Sequence, residues 1–468
     1  MRFTQTKEPW IGEIPAEWRL TAIKRLVSTK ITDGPHETPE LAEDGVQFIS
    51  AEAVKNNQID FNLRRGFISR ELHEQYSRKC KPQRGDIFVI KSGATTGNVA
   101  YVNVDFEFSI WSPLALIRCD ERIAFYKFVY YVLLTDVFRK QVELSWSFGT
   151  QQNIGMGVIE RLKVPIPPIG EQKQIAAFLD ASCAAIDAAV AAKRCQLETL
   201  DALRKTVTQQ VLSEGLRPGL LQRDSGIESI EMIPAHWAVK QLRYACQINY
   251  GITLQLEKGQ SEGDGVRILT VSNITIDGIL DLEDEYYISP TELTSEDYLQ
   301  RGDLLFNWRN GSQYHVGKTA FFDLQGEFAH VSFLLRIRCG REMYPFFLRS
   351  YLSVLKDAGF FSGSKDKVNK TFNSTELKRL RVVIPPMDEQ KEICREIEQR
   401  AKEVNDVKAV IEQQIATLTA YRKSLIHECV TGQRRVTEAD IRRVEAQKAA
   451  ATSWTPRHEE TSANEASQ

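Results

Sequence analysis

Two stretches of this chain carry side chains able to hydrogen-bond the edges of nucleic-acid bases. One is Trp146-Ser147-Phe148-Gly149-Thr150-Gln151-Gln152-Asn153; the other is Asn307-Trp308-Arg309-Asn310-Gly311-Ser312-Gln313-Tyr314-His315. In the major groove Arg pairs in bidentate fashion with guanine, and Asn or Gln with adenine. Trp146, Gln151, Gln152 and Asn153 are therefore candidates in the first stretch, and Asn307, Arg309, Asn310, Gln313 and His315 in the second. Phosphate contacts need only local cations, because each is an ion pair that releases a counterion. Arg64-Arg65, Lys91, and Lys365, Lys367 and Lys370 could supply them. Taken singly, each cluster reads equally well as an ordinary polar turn or a solvated face.

Catalytic spacings are approached and missed. Gly311 to Thr319 (GSQYHVGKT) has five residues between its first Gly and the Gly-Lys-Thr, where a phosphate loop needs four. Asp366 followed by Glu376-Leu377-Lys378 has the outline of a Mg²⁺ nuclease core. Glu171-Gln172-Lys173 and Glu389-Gln390-Lys391 also fit Glu-x-Lys, but both open a helix, where acidic residues complement the helix dipole. The seven histidines are singletons, and the eight cysteines include no CxxC pair, so neither a zinc site nor a disulfide frame is expected. No catalytic and no metal-ligating residue is assigned.

The chain has 468 residues, 60 basic and 62 acidic, for a formal charge of −2. Residues 1–168 hold 22 basic and 20 acidic side chains, and residues 216–386 hold 20 and 21, so any polyanion contact must come from local segregation of charge. No run of about 18 apolar residues long enough to span a bilayer is evident, and the first residues lack the apolar core of a signal peptide. A cytoplasmic location is expected.

The elements that must position these side chains come in two copies. Ile14-Pro15-Ala16-Glu17-Trp18 returns as Ile233-Pro234-Ala235-His236-Trp237, Arg84-Gly85-Asp86 as Arg301-Gly302-Asp303, and Ile117-Arg118-Cys119 as Ile337-Arg338-Cys339. Pro167-Pro168 before Glu171-Gln172-Lys173 returns as Pro385-Pro386 before Glu389-Gln390-Lys391. Strings repeating in order at an offset of about 218 residues mark a tandem duplication. The Glu-x-Lys at 376–378 has no counterpart in the first copy, which reads Val158-Ile159-Glu160.

Within each copy, short β-branched and aromatic runs separated by Gly turns predict an α+β globular domain up to the Pro-Pro pair. A long segment poor in Gly and Pro then predicts a long helix. Leu179, Ile186, Lys193, Leu200 and Val207 fall at successive sevens in the first helix, and Ile397, Val404, Ile411, Leu418 and Leu425 in the second. Ser182, Ala189, Gln196 and Leu203, with Val407 and Tyr421, lie three residues beyond and read as the companion row of a coiled-coil seam. The two helices are natural antiparallel partners, each on the order of 60 Å long, and would act as a spacer between the domains. The expected order is domain 1 (1–168), a central helix (169–215), a linker with domain 2 (216–386), a distal helix (387–432) and a polar, disordered tail (433–468). Ser213 to Ile233 reads as a connector.

With those strings assembled, the chain resembles the type I restriction-modification specificity subunits over nearly its full length. The resemblance implies two target-recognition domains, each reading half of a bipartite site on double-stranded DNA. It implies that the helices dock two modification (methyltransferase) subunits, with Leu179, Ile186, Leu200, Val207, Ile397, Val404, Ile411, Leu418 and Leu425 as candidate interface positions. It also implies a separate restriction (motor-nuclease) subunit. No cofactor is expected on this chain; S-adenosylmethionine would sit on the modification subunit, and ATP and Mg on the restriction subunit. Two other functions fit the same residues: a coiled-coil scaffold with two protein-binding domains, and a self-contained DNA modification enzyme.

Overall fold

The computed structural model describes residues 2–8, 10–145, 153–227, 230–253, 265–284, 286–310, 315–362 and 370–453. The chain forms two compact units, Met1–Arg194 with Glu412–Gln468, and Cys195–Ile411. The long helices are Ile169–Glu214 and Met387–Val430. Each unit takes part of both, so the boundaries expected at 168 and 386 mark where helices begin, not where units divide.

In the first unit the principal strands are β1 (Thr32–Asp33), β2 (Val46–Ile49), β3 (Gly66–Ile68), β4 (Ile87–Ile90), β5 (Val99–Tyr101), β6 (Phe108–Ile110) and β7 (Leu114–Ile117). An antiparallel sheet runs β5-β4-β7-β1, and a second sheet runs β6-β2-β3 with β6 parallel to β2. The strand β4 is apolar throughout because both its faces are covered. Successive side chains alternate across a strand, so Ile87 and Val89 enter one core with Phe128 and Trp18, while Phe88 and Ile90 enter another with Phe108.

The second unit repeats the plan with β8 (Cys246–Tyr250), β9 (Val266–Leu269), β10 (Tyr286–Ile288), β11 (Leu304–Asn307), β12 (Thr319–Phe321), β13 (Phe328–His330) and β14 (Leu334–Cys339). Its sheets run β12-β11-β14-β8 and β10-β9-β13, with β13 again parallel to β9. Leu304 and Phe306 face one core, and Leu305 the other.

The recurring strings are the joints of this plan. Asp86 receives both guanidinium arms of Arg118 at 2.7 Å, and Asp303 receives those of Arg338 at 2.8 and 2.7 Å. Gln172 is fully buried; its amide donates to the carbonyls of Ile123 and Pro167 and accepts from Phe125 N. Gln390 does the same with Glu342, Pro385 and Tyr344. The long helices end alike, on left-handed Gly215 (φ 75°) and Gly432 (φ 76°), the backbone form that glycine adopts freely at helix C-termini. A methyl group on Gly215 would stand 3.1 Å from the Trp237 ring; one on Gly432 would stand 2.4 Å from Pro15 and 3.3 Å from Trp18.

In the first unit the long helices are antiparallel, since Asp187 pairs with Arg422 at 3.0 Å and Lys193 with Gln414 at 2.5 Å. In the second, Asp201 meets Lys408 at 2.8 Å. The heptad residues face inward: Leu179, Ile186, Ile411 and Leu425 are buried, and Lys193, Leu200, Val207, Ile397, Val404 and Leu418 half-buried. The companion row differs from the expected one. Ala189, Gln196, Leu203, Val407 and Tyr421 are exposed, and the inward row lies four residues after each heptad position, at Cys183, Val190, Leu197, Arg204 and Val211 and at Ala401, Lys408, Ile415, Arg422 and Cys429. Long cationic side chains fit there because their methylene stems cover the seam while their charges reach the partner's carboxylates.

Three further expectations are corrected. Residues 433–453 are not an unstructured tail: Glu438–Ser453 is helical, Val436 and Val444 join the first unit's core, and Arg434 lies 5.2 Å over the Phe178 ring. Part of the connector, Gln222–Ile227, pairs as a strand with Ile230–Pro234, as Phe3–Gln5 pairs with Glu13–Pro15. The first long helix is, by length and composition, long and apolar enough to cross a membrane. Its Ile175, Phe178, Leu179 and Cys183 are instead spent on the first unit's core, and Asp180 binds Lys127 and Tyr131.

Gln390→Ala would remove three hydrogen bonds and leave the buried Pro385 carbonyl, the part-buried Glu342 carbonyl and the Tyr344 N–H without that partner. Urea unfolding should show a loss of about 2–4 kcal/mol, against less than about 0.5 kcal/mol for the exposed Gln399→Ala.

Candidate nucleic-acid interface

Loops far apart in sequence meet at one edge of each unit. In the first unit the turn between β4 and β5 begins at Lys91, whose N–H donates to Pro113 O at 2.7 Å and whose carbonyl accepts from Ile154 N at 2.8 Å. Ser92 bridges Asn153. The turn at Trp111-Ser112-Pro113 reaches the loop after β1, with Ser112 N donating to Pro35 O and the Trp111 indole to Glu37 O. In the second unit Trp308 occupies the place of Lys91; its carbonyl accepts from Phe372 N at 2.8 Å, and its indole donates to Ser332 O at 2.7 Å. Arg309-Asn310 pairs with Lys370-Thr371, as Ser92 does with Asn153.

A glycine missed by the sequence reading makes each edge possible. A methyl group on Gly34 would lie 2.0 Å from Ile110 O, and one on Gly251 would lie 2.1 Å from His330 O. The chain can cross the end of the neighbouring strand at these points only without a side chain. The available signal was that both glycines follow the matching strands β1 and β8.

The residue before each glycine is where the units part company. Asp33 holds the ammonium groups of Lys91 and, at 2.7 Å, Lys79, with His36 at 3.2 Å. Burial pushes the Asp33 carboxyl up, but the two lysines outweigh it and hold it below the usual carboxylate range. The same two positions in the second unit are Tyr250 and Trp308, packed edge to face with centroids 5.5 Å apart.

The candidate residues divide accordingly. Arg309 is exposed and its guanidinium lies 5.8 Å over the exposed Phe333 ring. Asn153 is exposed beside Ser92. Arg65 lies 4.3 Å over Trp111 and pairs with Glu52 at 3.1 Å; Arg64 lies 4.7 Å over Phe67. In the second unit an acidic stretch, Glu283-Asp284-Glu285, precedes the strand that matches theirs.

Two candidates are corrected. Lys91 is buried and its charge is committed to Asp33, so it offers no free cation. Asn307 is fully buried; its amide donates to His315 O at 2.9 Å and accepts from Arg309 N, shaping the loop from below. His315 is half-buried, and burial together with Lys318 and Lys356 lowers its pKa, favouring a neutral ring. The backbones of Asn310 and Lys370 pair with each other. Trp146, Gln151, Gln152, Gln313, Lys365 and Lys367 lie outside the described residues.

A sequence model of the type I restriction modification DNA specificity domain matches residues 18–198. The type I restriction enzyme EcoKI specificity subunit of Escherichia coli K12 is 24% identical over 438 residues, 90% of each chain. The putative MjaX specificity subunit of Methanocaldococcus jannaschii is 24% identical over 445 residues, 92% of this chain and 96% of that one. Residues 18–198 thus match that domain, and over about nine-tenths of its length the chain is similar to type I restriction enzyme specificity subunits. The fold agrees. A chain from a structural study of type I R-M complex assembly superposes with a TM-score of 0.69 at 16% identity, covering 89% of this chain and 98% of that one. The HsdS subunit from Thermoanaerobacter tengcongensis gives 0.54 at 17% identity, covering 90% and 98%.

One titratable group underlies the second unit's edge. His330 ends β13, and neither ring nitrogen has a hydrogen-bond partner among the described residues. Burial, then the Arg336 guanidinium, lowers its pKa to about 4, against smaller opposing effects from Asp303, Asp297 and the backbone of Asn249. Unfolded, the same ring would take up a proton near its ordinary pKa, so the unfolded state gains protons first as pH falls. Stability should be full above about pH 6.5 and fall by roughly 3 kcal/mol toward pH 4. His330→Leu should flatten that part of the stability–pH profile in denaturant titrations.

Proposed function

We propose that this protein is the non-catalytic DNA-recognition subunit of a cytoplasmic type I restriction-modification complex, with each unit's loop edge reading one half of a bipartite sequence. The observation that carries the reading is the pair of matched edges: Ile154 N to Lys91 O and Ser112 N to Pro35 O in one match Phe372 N to Trp308 O and Ser332 N to Ile252 O in the other, but Asp33, Lys91 and Ser92 are replaced by Tyr250, Trp308 and Arg309. One backbone frame with two sets of side chains is what reading two different half-sites requires. Base specificity comes from side chains at base edges, whereas main-chain contacts carry little sequence information.

The partners in this reading are double-stranded DNA, two modification subunits carrying S-adenosylmethionine, and restriction subunits using ATP and Mg. The long helices are the docking surface for the modification subunits. Leu203, Val407, Val410 and Tyr421, each about half exposed on the outer helix faces, support that role. Docking would then use this outer row, with the heptad residues themselves taken up by the pairing of the helices.

Co-expression with a methyltransferase subunit, followed by methylome sequencing, tests the proposal directly. Replacing residues 232–384 with the corresponding domain of another specificity subunit should change one half of the methylated motif; alteration of both halves would overturn independent reading. Arg309→Ala should relax a single position of that half-site, at a cost of about 1–3 kcal/mol in discrimination. Lys91→Met should lower stability and leave the motif as it was.

A further inference from the structure

In the first unit a cleft of about 700 Å³ opens beside the β4–β5 turn. Gly97 and Asn98 of that turn form one wall, the helix Asp136–Leu144 a second, and the last turns of the second long helix a third. Arg139, Lys140, Arg422 and Lys423 line it against a single carboxylate, Asp136. Arg139 donates to Asn98 Oδ1 at 3.3 Å, which joins this cationic wall to the candidate reading edge. Arg422 is held by Asp187 at 3.0 Å. Lys140 and Lys423 are exposed, and neither joins an ion pair among the described residues.

The matching place in the other unit is arranged differently: Lys205 and Lys356 both lie 3.7 Å from Asp357, and Lys318 is buried with its ammonium on Ile274 O. Counting back from the helix-ending glycines, Arg422, Lys423 and His427 correspond to Lys205, Thr206 and Gln210 on the first long helix, and Lys205 faces Asp357 at 3.7 Å. In a chain of net charge −2, two exposed lysines without an ion pair among the described residues, set beside two committed arginines, suit a polyanion there.

We propose that this cleft grips the phosphodiester backbone of the duplex next to the half-site read by the first unit. The assignment rests on the recognition role given above and adds to it the residues that position the duplex without reading its sequence. Duplex phosphate is favoured over an acidic protein segment because the cationic wall is continuous with the β4–β5 turn. Lys140 and Lys423 are flexible point charges suited to phosphate oxygens. Arg139 fixes the approach of the turn, and Arg422 remains bound to the helix seam.

The test uses the complex of this chain with its modification subunits and a duplex carrying the motif found by methylome sequencing. Binding is measured over a salt series for wild type and for Lys140→Ala/Lys423→Ala, both exposed helix positions. The double variant should bind roughly tenfold more weakly at low salt, and the slope of log K against log salt should flatten by about 0.9 per lost contact. The methylated motif should stay the same. An unchanged slope overturns the assignment. So does an unchanged slope with weakened binding of modification subunits, which would make the cleft a protein site, or an equal loss from Lys205→Ala, which would make the effect one of total charge. Absence of any bipartite motif with the wild-type chain overturns the recognition role itself, and this assignment with it.

Discussion

A buried amide in each unit governs where the globular part stops and the long helix starts. The two prolines before each helix lack N–H groups, and the first of each pair, Pro167 or Pro385, leaves a buried carbonyl beside the backbone of a distant loop, at Ile123–Phe125 or Glu342–Tyr344. Gln172 and Gln390 meet that need with one side chain apiece, donating to two carbonyls and accepting one N–H. A buried donor or acceptor left unmet costs more than the bond itself contributes, so the helix direction is held at its first turn. At the other end, Gly215 and Gly432 let each helix stop with its backbone against Trp237 or Trp18, where a side chain would not fit.

The candidate reading edge follows from a second constraint, the crossing of chains at Gly34 and Gly251. Once the loop after β1 or β8 passes over the neighbouring strand end, the remaining loops are fastened to it through main-chain bonds. Such bonds do not depend on side-chain identity. Asp33 with Lys91 in one unit can therefore be exchanged for Tyr250 with Trp308 in the other without disturbing the frame. The near-zero net charge fits this design: acidic and basic groups balance in the framework, and cations collect where loops and helix ends meet.

The sequence alone made the architecture legible through the duplicated strings and the seven-residue period. The Asp86–Arg118 and Asp303–Arg338 pairs show why those strings recur: they are contact partners. The companion row of the seam was not legible, because a helix of 3.6 residues per turn places neighbours at both three and four residues. Exposed Val407 and Tyr421 look apolar in sequence, while inward Arg204, Lys408 and Arg422 look polar. For Lys408 and Arg422 the carboxylates Asp201 and Asp187 on the facing helix account for the inward placement.

Local composition, turn chemistry and hydrophobic period thus determined two α+β domains, two long helices and the stretches in which recognition residues lie, because these depend on neighbours along the chain. The state of each individual group was decided by tertiary structure. Lys91 looks like a free cation until the fold brings Asp33 against it, 58 residues away. Asn307 looks like a base reader until its amide is found supporting His315. Arg139 and Lys140 gain meaning only beside Arg422 and Lys423. The physical reason is the same in each case: whether a charge or an amide is free is set by what surrounds it in space, and those surroundings come from distant parts of the chain.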